Sequence, residues 1–240
     1  MTGPVQIPLD LGHRAAMGGD DFLVAPSNAE AVAWLDRWPA WPAPALTLFG
    51  PAGSGKSHLA SVWRARTGAP CIAAADLPDA DLPALAAGRG AVVDDADKVA
   101  GRKGREEALF HLYNRMRDAG GHLLLLAHQP PARWRVRLAD LRSRLNAAPA
   151  VAVEPPDDAL LAAVLVKLFA DRQVLPGEEV VDYLVARIER SLDAARRVVA
   201  ALDHASLVEQ RRITVPLARS VLLSMDGPAD DGGDGEDDGA

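Results

Sequence analysis

The sequence predicts an α/β fold, a parallel sheet flanked by helices, followed by a small all-helical domain. Three observations carry that expectation. Residues 50–57 read Gly50-Pro51-Ala52-Gly53-Ser54-Gly55-Lys56-Ser57, a glycine-rich loop joining the apolar run Ala45-Leu46-Thr47-Leu48-Phe49 to a helix-like stretch, His58 to Arg66. The apolar runs ending at Val93 and at Ala127 are continuous rather than alternating, as in strands buried on both faces. Beyond Glu154-Pro155-Pro156 the pattern becomes wholly helical.

Taken in order, residues 1–21 are polar and glycine-rich and are expected to be extended or mobile. A first helix is predicted over Asn28–Trp38, with Ser27 or Asn28 as N-cap and Ala31, Leu35 and Trp38 at helical spacing. A Pro/Trp-rich link, residues 39–44, leads to the strand Ala45–Phe49. Further strands are expected at Pro70–Ala74, Gly90–Asp95, Gly121–Ala127 and Ala150–Val153, with helices at Glu106–Ala119 and Leu138–Leu145. Helices Asp158–Asp171, Glu178–Ile188, Ser191–Glu209 and Val215–Leu223 follow. The strand Leu123–Leu126, lying in sequence between the acidic strand and the last one, points to a sheet with an additional central strand. No internal repeat is present.

A chain of 240 residues, 49% hydrophobic, can hold one sizeable α/β domain and a small second one. No apolar stretch is long enough to span a membrane, and the first residues lack a basic segment followed by an apolar one. Cys71 is the single cysteine and no Cys/His group has zinc spacing, so a cytoplasmic location is expected. The net charge of −7 resides in Asp226–Ala240, with seven acids and no base; the other 26 acids balance the 26 basic residues. That acidic stretch reads as a disordered solubilising tail, with partner binding as the alternative. A neutral body argues against a dedicated duplex-DNA binder, which needs a concentrated basic face.

The loop at 50–57 has the residue types that phosphate chemistry requires. Its glycines let backbone N–H groups curl toward phosphates at a helix N-terminus, where the helix dipole favours anions. Lys56 is expected to reach the β/γ-phosphates and Ser57 to offer its hydroxyl to Mg²⁺, while His58 sits beside Ser57 by geometry alone. Gly50, Pro51, Ala52, Gly53, Ser54 and Gly55 complete the nucleotide-binding set.

Asp94 and Asp95 end an apolar strand behind this loop. In P-loop ATPases the first such carboxylate holds Mg²⁺ and the second polarises the attacking water; a helix N-cap pair is the alternative. In Arg142-Ser143-Arg144, an arginine presented at the end of a helical segment could reach a neighbouring subunit's nucleotide, or be a solvated surface group. Gln6-Ile7-Pro8-Leu9-Asp10-Leu11 has an amide followed by alternating apolar side chains, a form that suits docking in an extended groove but also arises by chance. The histidines are scattered, and Trp34, Trp38, Trp41, Trp63 and Trp134 read as core or interdomain anchors.

Together these pieces resemble the AAA+ module of the replication initiator DnaA, and most closely its short regulatory homologue, the Hda (HdaA) family. Phe22–Asn28 is similar to the family's segment beside the adenine pocket. Gly50–Ser57 and Asp94-Asp95 match its phosphate and acidic motifs, Leu141-Arg142-Ser143-Arg144-Leu145 its arginine-finger motif with the finger at Arg144, and Val151–Pro156 its approach to the lid. The resemblance covers about residues 4–224. It implies a P-loop AAA+ module with a helical lid, bound to ADP or ATP with Mg²⁺. It also gives Gln6, Leu9 and Leu11 the form of the family's motif for the polymerase sliding clamp. Only an acidic stretch follows Leu223, where DnaA carries a helix-turn-helix domain.

The resemblance thus implies a negative regulator of replication initiation. It would dock on DNA-loaded clamp and promote hydrolysis of DnaA-bound ATP through Arg144 in trans, with possible self-association. Two departures stand out: His128-Gln129 occupies the sensor position after the fourth strand, and Asp193 falls where the initiator's lid arginine belongs, with Arg190, Arg196 and Arg197 nearby. Both put the chain's own ATP hydrolysis in doubt. The alternatives are a helicase-loader-type ATPase using Asp95 on its own ATP, and a small-molecule kinase, against which the helical region after Pro156 argues. The expected division is a clamp-binding segment at 1–21, a nucleotide domain at 22–156, a lid at 157–224 and an acidic tail at 225–240.

Overall fold

The computed structural model describes residues 23–226, apart from the side chain of Asp226. The Gln6, Leu9 and Leu11 motif, Phe22 and the acidic residues after Asp226 lie outside the described residues.

Helix α1 (Ala29–Asp36) precedes strand β1 (Ala45–Phe49), and the phosphate loop then opens into α2 (Lys56–Thr67). After β2 (Cys71–Ala73) come a one-turn helix α3 (Leu82–Leu85), β3 (Gly90–Asp94), α4 (Lys103–Asp118), β4 (His122–Ala127), α5 (Ala139–Ala147) and β5 (Ala150–Ala152). The five strands are all parallel, in the order β2-β3-β4-β1-β5. β4 lies between β3 and β1, which is the additional central strand that the leucine run predicted.

That run is buried on both faces. Leu123 and Leu125 pack with Ala91, Val93, Leu109, Leu112 and Leu141 on one side of the sheet. Leu124 and Leu126 pack with Leu46, Leu48, Val92, Leu59 and Trp63 on the other. Successive strand side chains point to opposite faces, so an uninterrupted apolar run is what a sheet covered by helices on both sides demands. Trp63 is nearly buried, stacks on Trp41 with ring centroids 5.6 Å apart, and lies directly against Gly90, where a Cβ would come within 2.5 Å of its ring.

The lid is built from α6 (Asp158–Ala170), α7 (Glu178–Val185), α8 (Leu192–Val208) and α9 (Val215–Asp226). These helices enclose their own core, including Leu165, Phe169, Leu184, Val199, Leu202 and Leu217. Asp157 caps α6 by accepting from the Leu160 N–H at 2.8 Å, and Ser191 caps α8 by accepting from Ala194 at 3.3 Å.

Three sequence expectations shift. Asn28 occupies the N-cap position of α1 but makes no side-chain capping bond: its Oδ1 accepts from Ala25 N at 2.9 Å and its Nδ2 donates to Leu23 O at 3.0 Å, so the amide holds the preceding segment. Helix α4 begins three residues before Glu106, in spite of Gly104, because the Glu106 carboxylate reaches back to accept from Gly101 N at 2.7 Å. The short helix α3 and the 3₁₀ turns at Leu77–Asp79, Ala96–Val99 and Pro131–Arg133 gave no usable periodicity.

Candidate functional site

The phosphate loop leaves the C-terminal end of β1, where the Gly50 N–H donates to Ala127 O at 3.1 Å and fastens the loop to β4. Gly50 has no room for a side chain, since a Cβ there would lie 2.1 Å from Val153 O. Gly53 and Gly55 have φ of +71° and +103°, the left-handed region that favours glycine. Gly55 caps α2 without any side-chain acceptor, so the first-turn N–H groups stay aimed at the loop's concavity. Ser54 Oγ is buried with no hydrogen-bond partner. Such a concavity suits a polyanion.

Lys56 is 9% exposed and donates to Gly50 O at 2.8 Å and Pro51 O at 2.7 Å. Burial lowers its pKa, and the carboxylates of Asp94, Asp97, Asp95 and Asp193 act in the opposite direction. The fold thus sets this ammonium in the field of four carboxylates. Ser57 is exposed at the start of α2, and Asp94 is half-buried with its Oδ1 accepting from Asp95 N at 2.9 Å. Ser57 and Asp94 are the residues that would hold a divalent cation with a nucleotide, and both are hard oxygen donors of the kind Mg²⁺ takes.

Asp95 occupies the N-cap position of the 3₁₀ turn Ala96–Val99 at φ +52°, but its side chain makes no capping bond. Its Oδ2 accepts from Lys98 Nζ at 2.7 Å. Its Oδ1 lies 3.8 Å from His128 Nδ1, and Asp97 Oδ2 lies 3.6 Å from the same nitrogen while accepting from His128 N at 3.2 Å. Asp97 was not singled out from the sequence. The pair Asp95/Asp97 meets His128 only because β3 and β4 are neighbours in the sheet.

The lid closes onto the loop. Leu192 N, at the start of α8, donates to Gly53 O at 2.8 Å, and a Cβ at Gly53 would meet Ser191 Oγ at 1.9 Å. A pocket of about 220 Å³ opens beside this contact, lined by Leu23, Asn28 and His58 from the sheet domain and Leu160, Leu192 and Arg196 from the lid. Asp193 follows directly and pairs with Arg196 at 3.0 Å.

Arg144 lies in the last turn of α5, and its described partners all belong to α4. Its guanidinium donates to Asn114 Oδ1 and sits over the rings of Phe110 and Tyr113, 4.9 and 5.5 Å from their centroids. The helix that carries it is tied down by Glu106, whose carboxylate is 2% exposed and accepts from Arg137 N at 3.0 Å, Leu138 N at 2.8 Å and Gly101 N. Burial pushes the Glu106 carboxyl up, and the N–H groups of Leu138, Arg137 and Gly101 outweigh it and hold the carboxyl below the usual carboxylate value. Glu106, the first acid of the expected helix, gave no sequence signal of this role.

With this geometry in place, comparison with known proteins adds three findings. Residues 159–222 match the family model described as the Hda lid domain. The chain is 29% identical over 188 residues to an uncharacterized protein of Haemophilus influenzae, covering 75% of this chain and 81% of that protein. Its fold is similar to domain III of the Thermotoga maritima replication initiation protein DnaA, at TM-score 0.73 and 18% identity over 86% of this chain and 95% of that one. It is also similar to AMPPCP-bound DnaA from Aquifex aeolicus (0.62, 18%, 75% and 62%) and to the Thermotoga maritima RuvB Holliday junction branch migration motor (0.61, 18%, 75% and 61%). Among the described residues no helix is long and apolar enough to cross a membrane.

Proposed function

We propose that this chain, an Hda-like AAA+ protein, is a nucleotide-bound negative regulator of replication initiation that docks on the DNA-loaded sliding clamp and promotes hydrolysis of DnaA-bound ATP. The match of the lid to the Hda family is the observation that carries the reading. In it, backbone N–H groups of Gly53, Gly55, Lys56 and Ser57 cradle the phosphates of ADP or ATP, and Lys56 exchanges its two loop carbonyls for phosphate oxygens. Ser57 and Asp94 hold Mg²⁺, which neutralises phosphate charge when bound. The pocket bounded by His58, Asn28 and Leu160 takes the base.

Asp193 and the Lys98-paired Asp95 support a binding role over hydrolysis within the chain. A carboxylate at the lid position adds negative charge where a third phosphate would need a cation, and water activation by Asp95 would first require Lys98 to leave. In this reading Arg144, whose guanidinium contacts Asn114 and Phe110 on α4 rather than the chain's own phosphate loop, serves a partner's nucleotide. Gln6 anchors the clamp motif and Leu9 and Leu11 fill its apolar groove.

The test is a mixture of DnaA–ATP, DNA-loaded clamp and this chain, read as ADP formed on DnaA. Wild type should accelerate hydrolysis, and a Gln6→Ala/Leu9→Ala variant should lose both that effect and retention in a clamp pull-down. If Arg144→Ala stayed active while Asp95→Asn was dead, the chain would be a self-hydrolysing ATPase of the helicase-loader type instead.

A further inference from the structure

Helix α8 serves two clefts. It offers Leu192 and Arg196 to the pocket beside the phosphate loop, and Ala194, Arg197 and Val198 to a larger cleft of about 420 Å³ in the lid. The second cleft plays no part in the function proposed above. Arg187, Arg197 and Arg219, each exposed, converge on it from α8, α9 and the turn after α7. Arg187 lies flat over the Tyr183 ring at 3.9 Å and donates to Tyr183 O at 3.3 Å.

Half of the lid's arginines are paired, and of the unpaired ones among the described residues only Arg212, which lines a different cleft, lies away from this one. Arg172, Arg190, Arg196 and Arg211 each have a carboxylate within ion-pair distance. Among the described residues, Arg187, Arg197 and Arg219 have none, although Glu189 lines the same cleft. The cleft also has an apolar wall, with Leu223 66% and Met225 41% exposed. Both of these residues belong to the end of α9, so the chain leaves the described structure at the rim of the cleft.

Residues 227–240 then carry Asp230, Asp231, Asp234, Glu236, Asp237 and Asp238 and no basic residue. We propose that this acidic segment folds back into the lid cleft, pairing its carboxylates with Arg187, Arg197 and Arg219 and shielding Leu223 and Met225. Asp230 is four residues beyond Asp226. An extended chain gains about 3.3 Å per residue, so the acids begin within reach of the rim and extend across it. Individual exposed ion pairs are weak and salt-screened. The short tether compensates, since it gives the segment an effective concentration on the order of millimolar at the cleft. The segment thereby excludes other anions from this face of the lid.

The test is arginine footprinting of the full chain with phenylglyoxal, read by mass spectrometry. The six acids of 227–240 are changed to Asn or Gln in the comparison chain. Neutralisation should speed modification of Arg187, Arg197 and Arg219 at least threefold and leave exposed Arg102 and Arg133 unchanged. Raising salt to half-molar should do the same to the wild-type chain, and adding the synthetic 227–240 peptide should restore protection to the neutralised one. Equal labelling of the two chains at low salt overturns the proposal. It is also overturned if a single-stranded oligonucleotide protects the three arginines equally in both chains, because the cleft would then be open to nucleic acid whether or not the segment carries charge.

Discussion

Lys56 and Arg144 are the two cations on which the proposed function rests, and the fold holds them differently. Lys56 is buried in its own loop, bonded to carbonyls five and six residues away and in the field of Asp94, Asp97, Asp95 and Asp193. Its hydrogen-bond partners are local to one motif. Arg144 is half-buried on a different helix, about thirty residues from Asn114, and is braced by aromatic rings rather than by acids. In the proposed reading, the cation for the chain's own ligand is buried in its loop, and the cation for another molecule's ligand is braced by aromatic rings, with no carboxylate at ion-pair distance among the described residues.

The largest expected effect tests the second half of that contrast. Arg144→Ala should lose most of the stimulation of DnaA-bound ATP hydrolysis, about three to five decades by analogy with other arginine fingers, while ADP binding is unchanged. Arg144→Lys should not rescue it, because an ammonium lacks the planar fork of donors. Simultaneous loss of ADP binding in Arg144→Ala would break the distinction between the two sites.

Lys56→Ala addresses the first half. Wild type freed of nucleotide should gain about 2.7 kcal/mol of stability at ADP a hundredfold above its Kd, read as a rise in Tm, and the variant should gain far less. Its effect on DnaA should follow from lost nucleotide, so Arg144 should still be in place.

Glu106→Gln sharpens the comparison from the side of support. It removes a buried carboxylate that accepts from Gly101, Arg137 and Leu138, at a cost of about 1.5–3 kcal/mol. DnaA stimulation should fall with ADP affinity intact. Because the folded carboxyl titrates below its ordinary value of 4.5, its contribution is fully present above that pH and is lost as pH falls through the folded value. The gap in stability between wild type and Glu106→Gln should therefore narrow on acidification from pH 6 to pH 3.

The smallest effect is expected at Asp193, whose side chain is 53% exposed and pairs with Arg196. Asp193→Asn should leave the stability within about 1 kcal/mol of wild type, as for other exposed pairs. The ratio of ATP to ADP affinity should rise severalfold, measured by calorimetry. A ratio that did not move would remove Asp193 from the account of nucleotide preference.

Much of this molecule is written in short stretches of sequence. Strand β1, Ala45–Phe49, has the bounds its apolar run predicted, and β4 differs from prediction only at Gly121. Four lid helices follow from 3.6-residue periodicity, and the loop at 50–57 is a contiguous motif whose glycines serve local backbone geometry. Such features depend on residues a few positions apart, so periodicity and turn chemistry suffice to find them. Tertiary structure decided the rest. Glu106 finds Arg137 and Asp97 finds His128 across 31 residues each, through neighbouring elements whose adjacency no local pattern encodes. The Leu192 N–H reaches Gly53, bringing Asp193 into the field felt by Lys56, only because a separately packed lid folds back over the sheet. Hydrogen bonds and charges act over a few ångströms in space, whatever the distance along the chain, and those spacings exist only once the strands have paired and the lid has closed.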